Sequence, residues 1–186
     1  MYGDELDRPY SENDFLLPIT SYGMQKLVIE KFLHYYYHVH GLDYRIIRLS
    51  NPYGPLQIPN SGLGALTTFT YQAVVNNPIT IYGDGSAVRD YIFIEDVIKG
   101  VKAISCNTNS ERIFNLGSGV GTSLKQILEK LALQLGRDIN VKYLPKRSTD
   151  VKYSVLDTTR YKKINPEHKM LKIDDGIKKM VDFFSD

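Results

Sequence analysis

What this 186-residue chain has little of already narrows what it can be. It carries one cysteine, Cys106, so no internal disulfide can form, and this fits a reducing compartment. Cys106 itself reads as a small residue ending a helix, without a catalytic part. No apolar run reaches the roughly 18 residues of a membrane-spanning helix, and the acidic opening MYGDELD is unlike the basic start of a signal peptide. Neither sign of charge dominates, with 23 Lys+Arg against 21 Asp+Glu, so no broad field invites nucleic acid or an anionic membrane. The expected partner is a small molecule, and the expected location is the cytoplasm. Repeats and low-complexity tracts are absent. A metal is not expected either: His34 and His38 stand four apart, but Tyr35 occupies the Glu position of an HExxH pattern and no third ligand offers itself.

What is present alternates between helix and strand. Residues 1–18, rich in Asp, Pro and Gly, read as a loop. Thr20 or Ser21 can cap a helix that runs to about His40 and ends at Gly41. Its apolar residues Met24, Leu27, Val28, Phe32, Leu33, Tyr35, Tyr36 and Val39 cover more than one stripe, which predicts burial on two faces. Residues 42–49 read as a strand stopped by Asn51-Pro52-Tyr53-Gly54-Pro55, and 65–76 as a second helix. Strands are expected at 79–82, 91–94, 112–116 and 139–144, and helices at 95–105 and 124–135 and from Asp174. A short helix is expected after Asp157-Thr158. Gly117-Ser118-Gly119-Val120-Gly121 invites reading as a dinucleotide loop, but Thr122 stands where the fingerprint needs glycine. Ser123 with Gln126 is better read as a capping box. This alternation is the pattern of an α/β fold with a largely parallel sheet.

The pair with most chemical content is Tyr22 and Lys26, one turn apart on the first long helix. An ammonium beside a phenol favours the phenolate, which is what a general base near neutral pH needs. With 14 Tyr and 23 Lys+Arg, such a pair also arises by chance about once in a chain of this composition.

Four features taken together carry more than the pair alone: YGMQK on a helix, RLSNPYGP leaving the next strand, IYGDGSAVRDYIFIEDV, and NLGSGVGTS after a strand. In this order they resemble the extended short-chain dehydrogenase/reductase family, specifically its NAD-dependent nucleotide-sugar epimerases and dehydratases. The resemblance implies the C-terminal part of a Rossmann-like parallel sheet together with the small α/β substrate-binding domain. Residues 1–55 would be the Rossmann part with the YxxxK helix, and 56–186 mainly the nucleotide-sugar domain, with 91–117 returning to the Rossmann sheet. It also implies that the strand and GxxGxxG turn of the dinucleotide half, and the Ser or Thr upstream of Tyr2-Gly3, lie outside this chain.

Carried over position by position, Tyr22 is similar to the family's acid/base and Lys26 to the residue that holds the nicotinamide ribose. Ser50 falls at a cofactor position that is aromatic in some 4-epimerases. Asn51, Leu66, Arg89, Arg147 and Asp150 fall at substrate positions: Asn51 and Arg89 toward the diphosphate, Arg147 and Asp150 toward phosphate and ribose, and Leu66 near the base. The implied reaction is transient C4 oxidation of a UDP-sugar with NAD, as in a UDP-glucose 4-epimerase. A nucleotide-sugar 4,6-dehydratase is the alternative, and so is a catalytically inactive nucleotide-sugar-binding fragment. Homodimerisation through the helix from Tyr22 to His40 is expected.

Overall fold

A computed structural model describes residues 1–3, 7–59, 64–147 and 151–186. Helix α1 (Ser21–His40) starts at Thr20, whose hydroxyl accepts from the backbone N–H of Gly23, and ends at Gly41 with φ 68°. The chain then enters β1 (Ile46–Leu49) and β2 (Asn51–Tyr53), followed by α2 (Ala65–Val74), β3 (Ile79–Tyr82), β4 (Val88–Phe93) and α3 (Ile94–Ser105). Next come β5 (Ile113–Leu116), β6 (Gly121–Ser123), α4 (Leu124–Leu135), β7 (Val141–Leu144), β8 (Tyr153–Ser154), α5 (Thr159–Ile164) and α6 (Ile173–Ser185).

Pairing is mostly parallel, as the alternation predicts. β1 pairs with β5, β2 with β4, β3 with β7 and β4 with β8, while β4 and β6 run antiparallel. Strand β4 separates two cores by simple alternation of side chains. Tyr91 and Phe93 join one cluster with Tyr53, Leu66, Ile127 and Met180, under α2, α4 and α6. Ile92 joins the other with Val97, Ile104, Phe114 and Leu116, under α3 and α5.

Three expectations change. Asn51-Pro52-Tyr53 does not end a strand but forms one: the chain leaves β1 at Ser50 and crosses to the edge of a different sheet. Pro52 is tolerated there because β2 pairs on one side only, so its missing N–H breaks no ladder. Residues 42–45 precede β1 instead of belonging to it. The third change concerns α1. Its two apolar faces are open, with Val28 at 46%, Phe32 at 58% and Val39 at 51% exposure, because little of the described chain packs on them. Residues 1–3 and 7–18 are irregular, as expected, yet Tyr2 and Tyr10 are buried and stack with centroids 5.1 Å apart. Among the described residues no helix is long and apolar enough to cross a membrane, and no metal-holding cluster occurs.

Candidate functional site

The Tyr22 and Lys26 side chains emerge from the first turns of α1, where the Thr20 cap fixes the entry of the helix. The Lys26 ammonium lies 5.2 Å from the centre of the Tyr22 ring, and the ring is 67% exposed. Both line a cleft of about 580 Å³ between α1 and the β1–β2 crossing, and Ser50 and Asn51 line it too. Ser50 Oγ is buried at this end of the cleft with no hydrogen-bond partner among the described residues. Tyr22, Lys26 and Ser50, the three residues expected on the cofactor side, therefore share one cavity.

A second cleft of about 500 Å³ lies between α2, the β3–β4 turn and β4, and Asn51, Leu66, Arg89 and Arg147 line it. Asn51 is the residue the two clefts share. Its Nδ2 donates to the Asp90 carbonyl at 2.9 Å, which holds the side chain at the junction of the two clefts. Arg89 donates from Nη1 to the Val88 carbonyl at 2.9 Å. The Arg147 guanidinium lies 3.5 Å from the centre of the Tyr82 ring, a cation–π contact that orders a side chain otherwise costly to fix. Leu66 borders the cleft but is only 1% exposed, built into the core beside Phe69. Asp150 lies outside the described residues.

Several residues of this site were not singled out by sequence. Lys146 and Lys152 line the second cleft beside Arg89 and Arg147, so among the described residues four cations and one acid, Asp84, line it. Asp84 is turned toward Ser86, whose hydroxyl and N–H donate to it at 2.6 and 3.0 Å and hold its carboxyl below the usual range. Tyr91 lines the same cleft too, and its Oη is buried with no partner among the described residues; burial pushes its phenol up to about 12. Counting basic residues around Arg147 would have found the lysines. No local signal marks an orphaned hydroxyl.

The glycine loop after β5 also has its explanation. Its N–H groups do face an anion, but the anion is internal. Ser118 N and Gly119 N donate to the two carboxylate oxygens of Asp90 at 2.8 and 3.1 Å, and Leu156 N adds a third contact at 3.3 Å. The capping box expected just beyond it is present: Ser123 Oγ accepts from Gln126 N and Ser123 N donates to Gln126 Oε1.

Residues 1–117 match the NAD dependent epimerase/dehydratase family. A UDP-glucose 4-epimerase of Mycolicibacterium smegmatis is 30% identical over 184 residues, covering 99% of this chain and 59% of that protein. A dTDP-glucose 4,6-dehydratase of Streptomyces griseus is 28% identical over 161 residues, covering 86% of this chain and 48% of its own length. Among solved structures, a UDP-glucose 4-epimerase of Thermotoga maritima with UDP-glucose superposes with a TM-score of 0.92 at 32% identity, over 98% of this chain and 59% of that one. The chain thus spans less than two thirds of the length of each of these relatives.

Proposed function

The chain belongs to the NAD dependent epimerase/dehydratase family, and on that premise we propose that it carries the acid/base helix and the nucleotide-sugar cleft of a UDP-sugar 4-epimerase. The observation that carries this reading is the sharing of Asn51 between two clefts, one holding Tyr22 and Lys26 and the other Arg89 and Arg147. A nucleotide diphosphate on the two arginines leaves its sugar to extend past Asn51 toward the phenol. Arginine forks suit phosphate oxygens in pairs, and the excess of positive charge lining the cleft suits an anionic diphosphate. Division of the chain into a Rossmann part through residue 55 and a substrate part beyond it is supported by the crossing at Ser50 from one sheet to another.

In this mechanism Asn51, Arg89 and Arg147 bind the diphosphate and set the depth of the sugar. Tyr22 Oη takes the proton of the C4 hydroxyl and later returns one to the same oxygen. Lys26 holds the ribose end of the cofactor and keeps a positive charge beside the phenol. NAD, when bound, supplies the reversible two-electron oxidation at C4. Ser50, which lines the same cleft as Tyr22 and Lys26, would border the bound cofactor.

Taken alone, the chain is proposed to hold a nucleotide sugar without turnover and without tight NAD binding, and to pair with a second copy through the exposed apolar residues of α1. A 4,6-dehydratase remains the second reading, favoured by the relative from Streptomyces griseus. One cysteine and the family's small-molecule chemistry fit a cytoplasmic enzyme. The test is Tyr22→Phe in the full-length protein. Turnover of UDP-glucose should be abolished while UDP-glucose affinity is kept, and a kcat near the wild-type value overturns the acid/base role. UDP-galactose as product identifies the epimerase, and a 4-keto-6-deoxy sugar identifies the dehydratase. Tight NAD⁺ binding by the 186-residue chain alone contradicts its proposed inactivity.

A further inference from the structure

Tyr22 and Lys26 have a third companion on their face of α1. Glu30 follows at the same four-residue spacing, and all three line the first cleft. Glu30 is not there to meet solvent or ligand: its carboxylate receives both Arg48 Nε at 2.9 Å and Arg48 Nη2 at 2.7 Å, a two-pronged pairing. The two side chains are 11% and 7% exposed. Arg48 stands on β1 and spends its remaining nitrogen, Nη1, on Tyr2 Oη at 2.8 Å and on the Glu12 carbonyl at 3.1 Å. Tyr2 Oη in turn donates to Asn115 Oδ1 on β5 at 2.7 Å. A single guanidinium therefore ties α1, β1, β5 and the N-terminal segment to one point.

The rest of α1 makes this tie important. Leu27 and Leu33 are half-buried, but Met24, Val28, Ile29, Phe32 and Val39 are exposed, so among the described residues no continuous apolar seam ties the helix to the rest of this chain. Its far end is held where the Tyr37 ring lies 3.9 Å from the Arg112 guanidinium. Between that contact and the Thr20 cap, the Glu30 fork is the charged anchor, about 12 Å along the axis from Tyr22 at 1.5 Å per residue. Helix rotation sets where the phenol points, and a misplacement of about 1 Å at a reacting atom can cost about a hundredfold in rate.

We propose that Glu30 and Arg48 are positioning residues for the Tyr22/Lys26 pair: their fork sets the rotation and depth of α1 so that the phenol meets the sugar C4 hydroxyl. The inference rests on the reading of Tyr22 as acid/base. Substrate affinity lies elsewhere, in the Asn51, Arg89 and Arg147 cleft, and is independent of the fork.

The test uses the full-length protein with UDP-glucose as substrate and UDP as a binding probe. Glu30→Gln keeps the shape of the side chain and removes its charge. Its kcat should fall tenfold to a hundredfold, with the UDP dissociation constant and the KM for UDP-glucose within twofold of wild type. Hydrogen exchange should rise at the amides of residues 22–30 and stay unchanged in β4 and α4. Where Glu30→Gln fails to fold, the double variant Glu30→Leu with Arg48→Met removes the buried charges together and restores packing. It should recover wild-type melting without recovering kcat. A merely structural pair predicts the opposite, with kcat restored alongside stability, and that result overturns the proposal, as does a Glu30→Gln enzyme whose kcat stays within twofold of wild type. Tyr22→Phe run in parallel separates the two failures. If it stays active, the acid/base reading itself falls; if it is dead while Glu30→Gln is fully active, only the positioning role falls.

Discussion

Ser118 Oγ donates to Asp90 Oδ1 at 2.6 Å, and the same carboxylate is completely buried. This contact joins the glycine loop after β5 to the strand that carries Arg89. Asp90 also offers its carbonyl to Asn51. One buried residue therefore holds Asn51 through its carbonyl and anchors the strand position next to Arg89, two residues of the proposed diphosphate cleft.

Replacing Asp90 with Ala strips the acceptor from Ser118 N, Ser118 Oγ, Gly119 N and Leu156 N. Unsatisfied buried donors cost about 1–3 kcal/mol each, and with partial rehydration a total near 3 kcal/mol is expected in urea unfolding. The pH dependence has a definite sign. Burial raises the Asp90 pKa above its ordinary 3.8, against the pull of its hydrogen bonds. A raised pKa means that the folded state binds the proton more readily than the unfolded state, so this group costs stability at neutral pH and returns it as pH falls toward the ordinary value. Relative to Asp90→Asn, wild-type stability should therefore improve as pH falls toward the ordinary carboxylate range, and a wild type that loses stability relative to that variant on acidification contradicts the assignment.

Gly117→Ala should act through the same carboxylate. A Cβ there would stand 2.3 Å from Asp90 Oδ2 and 2.9 Å from Ser50 Oγ. The Asp90 group is locked by its donors and cannot step aside, so a loss of about 1–3 kcal/mol is expected, as for other overpacked sites. Chemical denaturation of the single variant measures it. Full stability would show that the loop can shift and that Asp90 is less firmly held than its contacts imply.

What the sequence made legible was local, and what it hid was long-range. Ser123, Gln126 and Gly136 define α4 because cap and stop lie within one turn of the helix they bound. Thr20 and Gly41 define α1 in the same way. Asn51-Pro52-Tyr53 looks like a stop because proline breaks local patterns, and only its partner Tyr91, 40 residues on, makes it a strand. The Tyr22/Lys26 spacing was visible along one helix, but the convergence of Arg89 with Arg147 depends on β3 pairing with β7. The fork from Glu30 to Arg48 joins a helix to a strand, and neither residue alone announces it.

Arg147 is expected to depend on Tyr82 for its aim. With the guanidinium 3.5 Å from the ring centre, the contact contributes about 0.5–1 kcal/mol at an exposed site. Tyr82→Leu should weaken UDP binding by about two- to fivefold on that basis, whereas Arg147→Gln, which also removes the charge, should weaken it more. Isothermal titration of both variants gives the order. Equal losses would show that the ring contacts the ligand directly, and no loss at Tyr82 would remove its proposed part in aiming Arg147.

Tyr91→Phe should stabilise the protein. The Tyr91 hydroxyl is buried with no partner among the described residues, while the ring packs against Tyr53 with centroids 6.4 Å apart. Phenylalanine keeps the ring and removes the stranded polar group, a gain of about 1 kcal/mol. The same burial predicts an effect in alkali. The folded pKa of Tyr91 is pushed up to about 12 from 10.0, so between these values the unfolded chain releases a proton that the folded chain keeps. Stability attributable to this residue is intact below pH 10.0 and lost as pH rises toward 12. Tyr91→Phe should therefore unfold less steeply with alkali than wild type, by urea midpoints measured across that range. A variant less stable than wild type at neutral pH would mean that the hydroxyl has a partner after all, and a bound ligand or ordered water in the second cleft would be the place to look for it.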